Sequence, residues 1–561
     1  MMKKLVFNKL NYFLVLSMFS LCIISCRSTN ENIVDNNGAA AVKINIKGNN
    51  FDDNGSLIPQ ASIGNIGMAS GLVQRQEIVF NNNDDYKLVA TLTPITTATN
   101  TLQASTKSNT IAATEVNPLG VGVKYKVLIF DSNGNYVKEQ DYSSGQADPV
   151  ITNLNGGSTY TFVVYSIGSK TDLPAVTYSD TNSKTLANAS LQNISGDSDL
   201  MYFSKSMTVS GNTTNYLDIT LRHKFTQIIT TLDASPTNGY SITNINGVTI
   251  SPHTESATMQ LSNGNTTVSG ASLTRSILFP IVGTKTIVSD PVFINSENVT
   301  NGVFAIKSVT MDTGGALNAT VTHENVTFNK LKITRGFKYE LKLSFTPNDR
   351  YMTYKGYPAV RLNGFIWMRH NLGANTSLDP DDPKQSLIGN YYQWGTNNSI
   401  VDGYTSPNPI PGWDQTVNPP SNSWNSGTAS TPIKTSNDPC PSGWRIPSQN
   451  EFSVLLNNTD QSNVGTWTQN QDVNNFSAAK LFKSKFVNSI ILTLPTAGVR
   501  NTNENGALWY RGVVGAYWTS NSTGTANTAV NFDSKESAVR YYSNLKSSAF
   551  SVRCIADSPI N

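Results

Sequence analysis

At 561 residues the chain has room for three or four domains, each burying a core of its own. A formal net charge of +3 makes no electrostatic case for a nucleic-acid partner. Only 14% of residues are charged, against a usual share of about 25%. Asn, Thr, Ser and Gly must therefore carry much of the polar surface, a composition that suits exported all-β proteins and argues against a cytosolic helical bundle.

The first element in chain order is an export signal. Lys3, Lys4 and Lys9 form a positive start, and the apolar stretch over residues 12–24 has signal-peptide length. It ends in Ile23-Ile24-Ser25-Cys26, which resembles a bacterial lipobox. Residues 1–25 are then expected to be removed and Cys26 to carry the lipid, several acyl chains together giving stable anchoring in the outer membrane. An ordinary secretory signal with an incidental cysteine is the plainer alternative. Cys22 lies inside the apolar stretch and would be lost with it. Residues 26–40 are polar and read as a tether. Beyond Cys26 no apolar stretch approaches the roughly 20 residues of a spanning helix.

From Ala41 the pattern becomes period-two. Val42, Ile44 and Ile46 alternate with Lys43, Asn45 and Lys47, predicting a half-buried strand. The signature recurs at Tyr125, Val127 and Ile129, at Tyr160, Phe162 and Val164, at Leu217, Ile219 and Leu221, and at Tyr339, Leu341, Leu343 and Phe345. Such strands between Asn/Gly/Ser/Thr turns predict antiparallel sandwiches. The region is too long for one sandwich of about 100 residues, and the sequence reading divides it at 41–189 and 190–348.

Residues 41–346 resemble the fimbrillin family of Bacteroidota surface lipoproteins. The resemblance rests on four segments: Gly122-Val123-Lys124-Tyr125-Lys126-Val127 with the turn from Asp131 to Gly134, residues 157–166, residues 221–226, and Gly336-Phe337-Lys338-Tyr339-Glu340-Leu341. It implies two transthyretin-like β-sandwiches and a role as pilus subunit, pilus anchor or related surface protein, with other fimbrial subunits as partners. Stalk subunits of that family are thought to join by strand addition, after proteolysis beyond a basic residue. Arg75 is the candidate cleavage site, the alternative being an ordinary loop arginine. A further domain follows the fimbrillin-like region, which fits a tip or accessory protein better than a repeating stalk. His223 reads as a strand residue covering a sheet edge, since no nucleophile pattern accompanies it.

After Pro347 the composition shifts, and all eight tryptophans lie from Trp367 onward. Residues 364–373, 390–395, 438–447, 494–500, 515–520 and 550–554 form an ordered set over 355–556 that looks like the Fibrobacter major-paralogue domain, Fib_succ_major. The resemblance implies an α+β, C-type-lectin-like domain over 349–561, similar also to formylglycine-generating enzymes. Ser448 to Glu451 form a capping box, so a helix carrying Phe452, Leu455 and Leu456 is expected there. A second helix is expected over 476–486, with Leu481, Phe482 and Phe486 inward. Trp367, Trp444 and Trp518 read as core.

Cys440 and Cys554 are the only cysteines beyond Cys26. In an oxidising compartment a bridge between them would stabilise the domain by roughly 4–5 kcal/mol; two buried thiols are the alternative. The four histidines (His223, His253, His323, His370) lie in no zinc-ligand spacing. Two features are candidate binding sites. The loop over 401–428 carries Tyr404, Trp413 and Trp424, which could stack on sugars or anchor a protein partner, or could instead pin the loop to its own domain. Asp379, Asp381 and Asp382 could ligate a structural calcium, or form ordinary turns.

No phosphate-loop, zinc-protease or serine-nucleophile motif occurs, and Cys440 and Cys554 leave no thiol for formylglycine chemistry. The sequence thus predicts no enzyme, no catalytic residue and no cofactor beyond that calcium. It predicts a mainly β, lipid-anchored surface protein of fimbrillin type, an adhesin or accessory pilus subunit presenting a C-terminal binding domain to a glycan or a protein on a host cell. The alternative is a glycan-capturing lipoprotein outside any pilus.

Overall fold

The computed structural model describes residues 38–52, 73–80, 86–95, 117–147, 149–171, 173–237, 239–312, 320–524 and 527–557. The expected signal peptide, Cys26 and nearly all of the expected tether lie outside the described residues. Among the described residues, no helix is long and apolar enough to cross a membrane.

The alternation at residues 42–46 does make a strand, Ala39–Asn50. It lies in a seven-stranded sheet in the order Tyr136–Ser143, Lys124–Phe130, Thr159–Ser166, Met201–Thr208, Thr214–His223, Ala39–Asn50 and Val150–Asn155. Its pairing with Thr214–His223 is parallel, with Ala41 opposite Thr214. Val42, Val127, Phe162, Leu217 and Ile219 point into one core, which strands from both ends of that order also feed through Tyr142 and Ile151. The Tyr142 hydroxyl donates to the Val150 carbonyl at 3.2 Å, joining the two ends. The sheet therefore rolls round its own apolar face.

A second sandwich packs two sheets together. One runs Thr286–Val288, Thr226–Asp233, Lys338–Pro347, Tyr86–Pro94 and Gln74–Val79. The other runs Ser241–Asn246, Val299–Asp312, Thr249–Gln260, Ala189–Ser195 and Val176–Tyr178. Leu88, Ile228, Leu341 and Leu343 from the first meet Ile250, Phe304, Ile306 and Phe328 from the second. A third cluster joins the two sandwiches: Leu128, Phe130, Val163 and Tyr165, on the outer face of the rolled sheet, pack with Leu191, Met259 and Leu261.

These pairings overturn the division at residue 190, which falls inside the strand Ala189–Ser195. Strands at 74–94 and 176–195 belong to the second sandwich, whereas Met201–Thr208 and Thr214–His223 return to the first. Period-two alternation reports that a strand is half-buried. It carries no information on which strand lies alongside.

The C-terminal part contains three small sheets and, among the described residues, one α-helix, Gln449–Asn458. Its capping box forms: Ser448 Oγ accepts from the Glu451 amide and the Glu451 carboxylate accepts from the Ser448 amide at 2.7 Å. Phe452 and Leu455 are buried, while Leu456 is only half-buried. The second expected helix is instead a strand, Ala479–Ser484, paired on one side with Thr459–Val464 and on the other with Ile491–Pro495. Of its three supposed inward residues, only Phe482 is buried, and Phe486 faces solvent. Trp367, Trp444 and Trp518 are fully buried. Cys440 and Cys554 form a buried disulfide with Cα atoms 6.0 Å apart. Beside it Trp367 pairs with Ile555, so the domain's early and last strands are neighbours.

Candidate functional site

The aromatic loop does not form a binding platform. Trp424 is buried against Trp394, with ring centroids 5.2 Å apart, and its Nε1 donates to the Thr396 carbonyl at 3.1 Å. Trp413 is buried over Gly506, where an added Cβ would stand 2.0 Å from the indole ring; its Nε1 donates to Thr502 Oγ1. Both tryptophans pin the loop to its own domain, and only Tyr404 remains exposed. The Tyr404 turn is itself held by Arg500, whose guanidinium donates to the carbonyls of Thr405 and Ser406 at 2.9 and 2.7 Å.

The three aspartates do not converge on a cation. Asp381 accepts from Arg369 and from Thr493 Oγ1, each at 2.5 Å, and Asp382 pairs with Lys384 at 2.7 Å. Among the described residues no group of three His, Cys, Asp or Glu side chains could hold a metal ion. The calcium expectation fails because the middle carboxylate is already taken by protein donors.

Two further residues fall in unexpected settings. Arg75 lies within the edge strand Gln74–Val79, ion-paired to Glu77 at 2.5 Å, not in a loop. Gln74 and Gln76 tie that strand to the Lys332 and Asn329 carbonyls of the facing sheet. His223 is buried where the two sandwiches meet, stacked on Phe51 at 3.6 Å, with Asp199 at 2.5 Å and Asn49 at 3.0 Å from its ring nitrogens.

Asp379 and Asp381 instead border a cleft of about 620 Å³ that the sequence did not reveal. Tyr351 comes from the domain's first strand, Arg350–Tyr354, while Arg369 and His370 follow the strand Phe365–Met368. A loop over 376–381 and the start of Ile491–Pro495 complete the wall. The Arg369 guanidinium lies 4.0 Å over the Tyr351 ring, and its Nη2 holds Asp381. The Tyr351 hydroxyl accepts from the Ile491 amide at 3.1 Å, linking two sheet edges across the cleft. Burial raises the Tyr351 pKa, so its hydroxyl keeps its proton near neutrality.

Burial also pushes His370 below its ordinary pKa, favouring the neutral ring. Since a carbonyl oxygen only accepts, Nε2 carries the proton it shares with Leu378 at 2.9 Å. Behind the cleft Arg553 is fully buried, its pKa lowered to about 10 by that burial. Its guanidinium donates to Asn371, to the Met368 and Arg369 carbonyls and to the Thr493 carbonyl, fixing the cleft's back wall. Arg553 stood inside the Ser551-Val552-Arg553-Cys554 motif, but nothing in its spacing revealed that role.

Residues 345–556 match the family model of the Fibrobacter succinogenes major domain, Fib_succ_major. The cleft, the disulfide and all eight tryptophans lie within that Fib_succ_major segment. No curated protein matches the chain.

Among solved structures, the chain is similar to a proposed cell-adhesion protein from Bacteroides fragilis, at 13% identity, over 48% of this chain and 91% of that one, with a TM-score of 0.29. It is also similar to a fimbrial anchor protein from Porphyromonas gingivalis, at 11% identity, over 39% and 95%, with a TM-score of 0.24. A fimbrial assembly protein from Parabacteroides distasonis gives 11% identity, 44% and 88% coverage and a TM-score of 0.24.

Proposed function

We propose that the chain is a cell-surface adhesion protein of fimbrillin type, an adhesin or a tip or accessory pilus subunit. In this reading a lipid on Cys26 holds it to the outer membrane, and the Fib_succ_major segment meets the ligand. The observation that carries the reading is the coupling of two interleaved sandwiches to a disulfide-tied module with a preformed cleft. A second observation favours an accessory place over a stalk. The last strand of the sandwich region, Lys338–Pro347, is paired on both sides, with Thr226–Asp233 and with Tyr86–Pro94, and so is not available for donation.

Shearing fimbriae from the parent cells and probing them for this protein tests the proposal. The protein is expected in the sheared fraction. Its absence there, with ligand binding retained by the purified chain, overturns the pilus assignment and favours a capture lipoprotein. Replacing Cys26→Ala should move the protein out of the membrane fraction; retention there would overturn the lipid anchor.

A further inference from the structure

We propose that the cleft between Tyr351, Arg369 and Asp379 is a calcium-independent binding site for a neutral sugar residue bearing adjacent hydroxyls. The inference rests on the reading of the Fib_succ_major segment as the ligand-bearing part, and it names the ligand class of that part.

Size comes first. At about 620 Å³ the cleft falls in the range of small-ligand sites, roughly 300–1,000 Å³. A macromolecular interface would need a far larger contact area, so the occupant is one or two rings of a larger molecule.

Charge then selects among rings. Arg369 contributes one positive charge to the wall, against the carboxylates of Asp379 and Asp381, while Asp382 is matched by Lys384. With His370 neutral, the wall carries a slight negative excess. Uronic acids, sialic acids and phosphorylated sugars would bring like charge into it. An ammonium would suit Asp379 but would have to approach the Arg369 guanidinium, 3.9 Å from that carboxylate.

Hydrogen-bonding pattern completes the argument. Arg369 is held by stacking on Tyr351 and by its Nη2 contact to Asp381, which orients the rest of the guanidinium as a donor. Asp379 binds the Asp381 amide with one oxygen, at 3.0 Å, and its side chain is 69% exposed. A fixed donor and a carboxylate acceptor thus stand side by side. Adjacent ring hydroxyls, each able to donate and accept, satisfy both at once. His370 Nδ1, deep in the same wall, is a buried acceptor without a partner. The prolines and Ile491 of the wall offer apolar surface to the carbon face of a ring.

The test uses the full mature chain and a glycan array with neutral, acidic and amino-sugar sets, in calcium and in EDTA. Saturation-transfer NMR would follow with any neutral oligosaccharide that binds. Binding to neutral glycans is expected, equal in both buffers. Asp379→Asn, a surface change that leaves Asp381 in place, should weaken it tenfold or more with an unchanged melting profile. Tyr404→Phe, which is not part of the cleft wall, should leave it unaltered.

No neutral-glycan signal, a preference for acidic or amino sugars, loss of binding in EDTA, or an Asp379→Asn variant of full affinity would each overturn the proposal. Fimbrial incorporation is scored separately. Incorporation without sugar binding removes the cleft's assignment and keeps the fimbrial reading, whereas Asp379-dependent binding without incorporation does the reverse.

Discussion

The sandwich region and the Fib_succ_major segment solve the same problem by different means. In the sandwiches, alternating aliphatic and aromatic side chains fill the cores, and the buried polar groups are few and uncharged or acidic apart from His223 and His253. Beyond residue 349 lie all the buried Arg and Lys among the described residues: Arg361, Arg445, Lys480, Arg500, Arg511, Lys546 and Arg553. Several of them donate to loop carbonyls, as Lys546 does to Pro419 at 2.8 Å and Arg511 to Val473 at 3.1 Å. Sheets satisfy their own backbone groups, but long irregular loops cannot, so buried cations take over the task. A region rich in ladders tolerates simple apolar filling; a region rich in loops depends on particular polar side chains.

Loss of the disulfide should separate the two regions most. Cys440→Ser should lower the stability of the Fib_succ_major segment by about 4 kcal/mol while leaving the sandwich transition in place. Calorimetry that showed a single shifted transition for the whole chain would refute that independence.

A smaller effect sharpens it. Arg500→Met removes the donors to Thr405 and Ser406 and should cost about 2–3 kcal/mol, with new protease cleavage near Tyr404. Leu341→Ala in the second sandwich should cost a similar 2–5 kcal/mol without any local cut. Equal cleavage patterns in the two variants would contradict the distinction.

The smallest effect concerns pH. Burial raises the Asp533 pKa to about 7, whereas an unfolded Asp titrates near 3.9. The folded form therefore holds a proton that the unfolded form has released. Stability from this group is full below about pH 4 and is lost as pH climbs through about 7. The melting temperature of the Fib_succ_major segment should fall by a few degrees between pH 5 and 8, and Asp533→Asn should flatten that slope. A slope unchanged by the substitution would exclude Asp533 as its source.

Local signals were legible and long-range ones were not. Val42, Ile44, Leu217 and Phe345 announced their strands because alternation is a property of a few consecutive residues. Ser448 and Glu451 announced the helix by the same kind of short spacing. The pair Cys440 and Cys554 was legible because few cysteines were available to choose from. The strand at 479–484 was misread because Leu481, Phe482 and Phe486 suggest a helical face, while flanking strands on both sides decide otherwise. The cleft stayed hidden because Tyr351, Arg369 and Ile491 meet only after three separate segments fold together. Whether Trp413 and Trp424 anchor a ligand or pin the loop to its own domain stayed open in the sequence, because a loop rich in Pro, Asn and Gly does not reveal which aromatics turn inward.

The parallel ladder between Ala39–Asn50 and Thr214–His223 has a consequence for the order in which the chain can fold. Ala39–Asn50 finds one neighbour in Val150–Asn155, but its other edge must wait for a strand 173 positions behind it. The strand Tyr86–Pro94 waits longer still, for Lys338–Pro347. The first sheet is complete once Thr214–His223 has emerged, whereas closure of the second sandwich is deferred until nearly two thirds of the polypeptide is available, and in the meantime its unpaired edges need shielding.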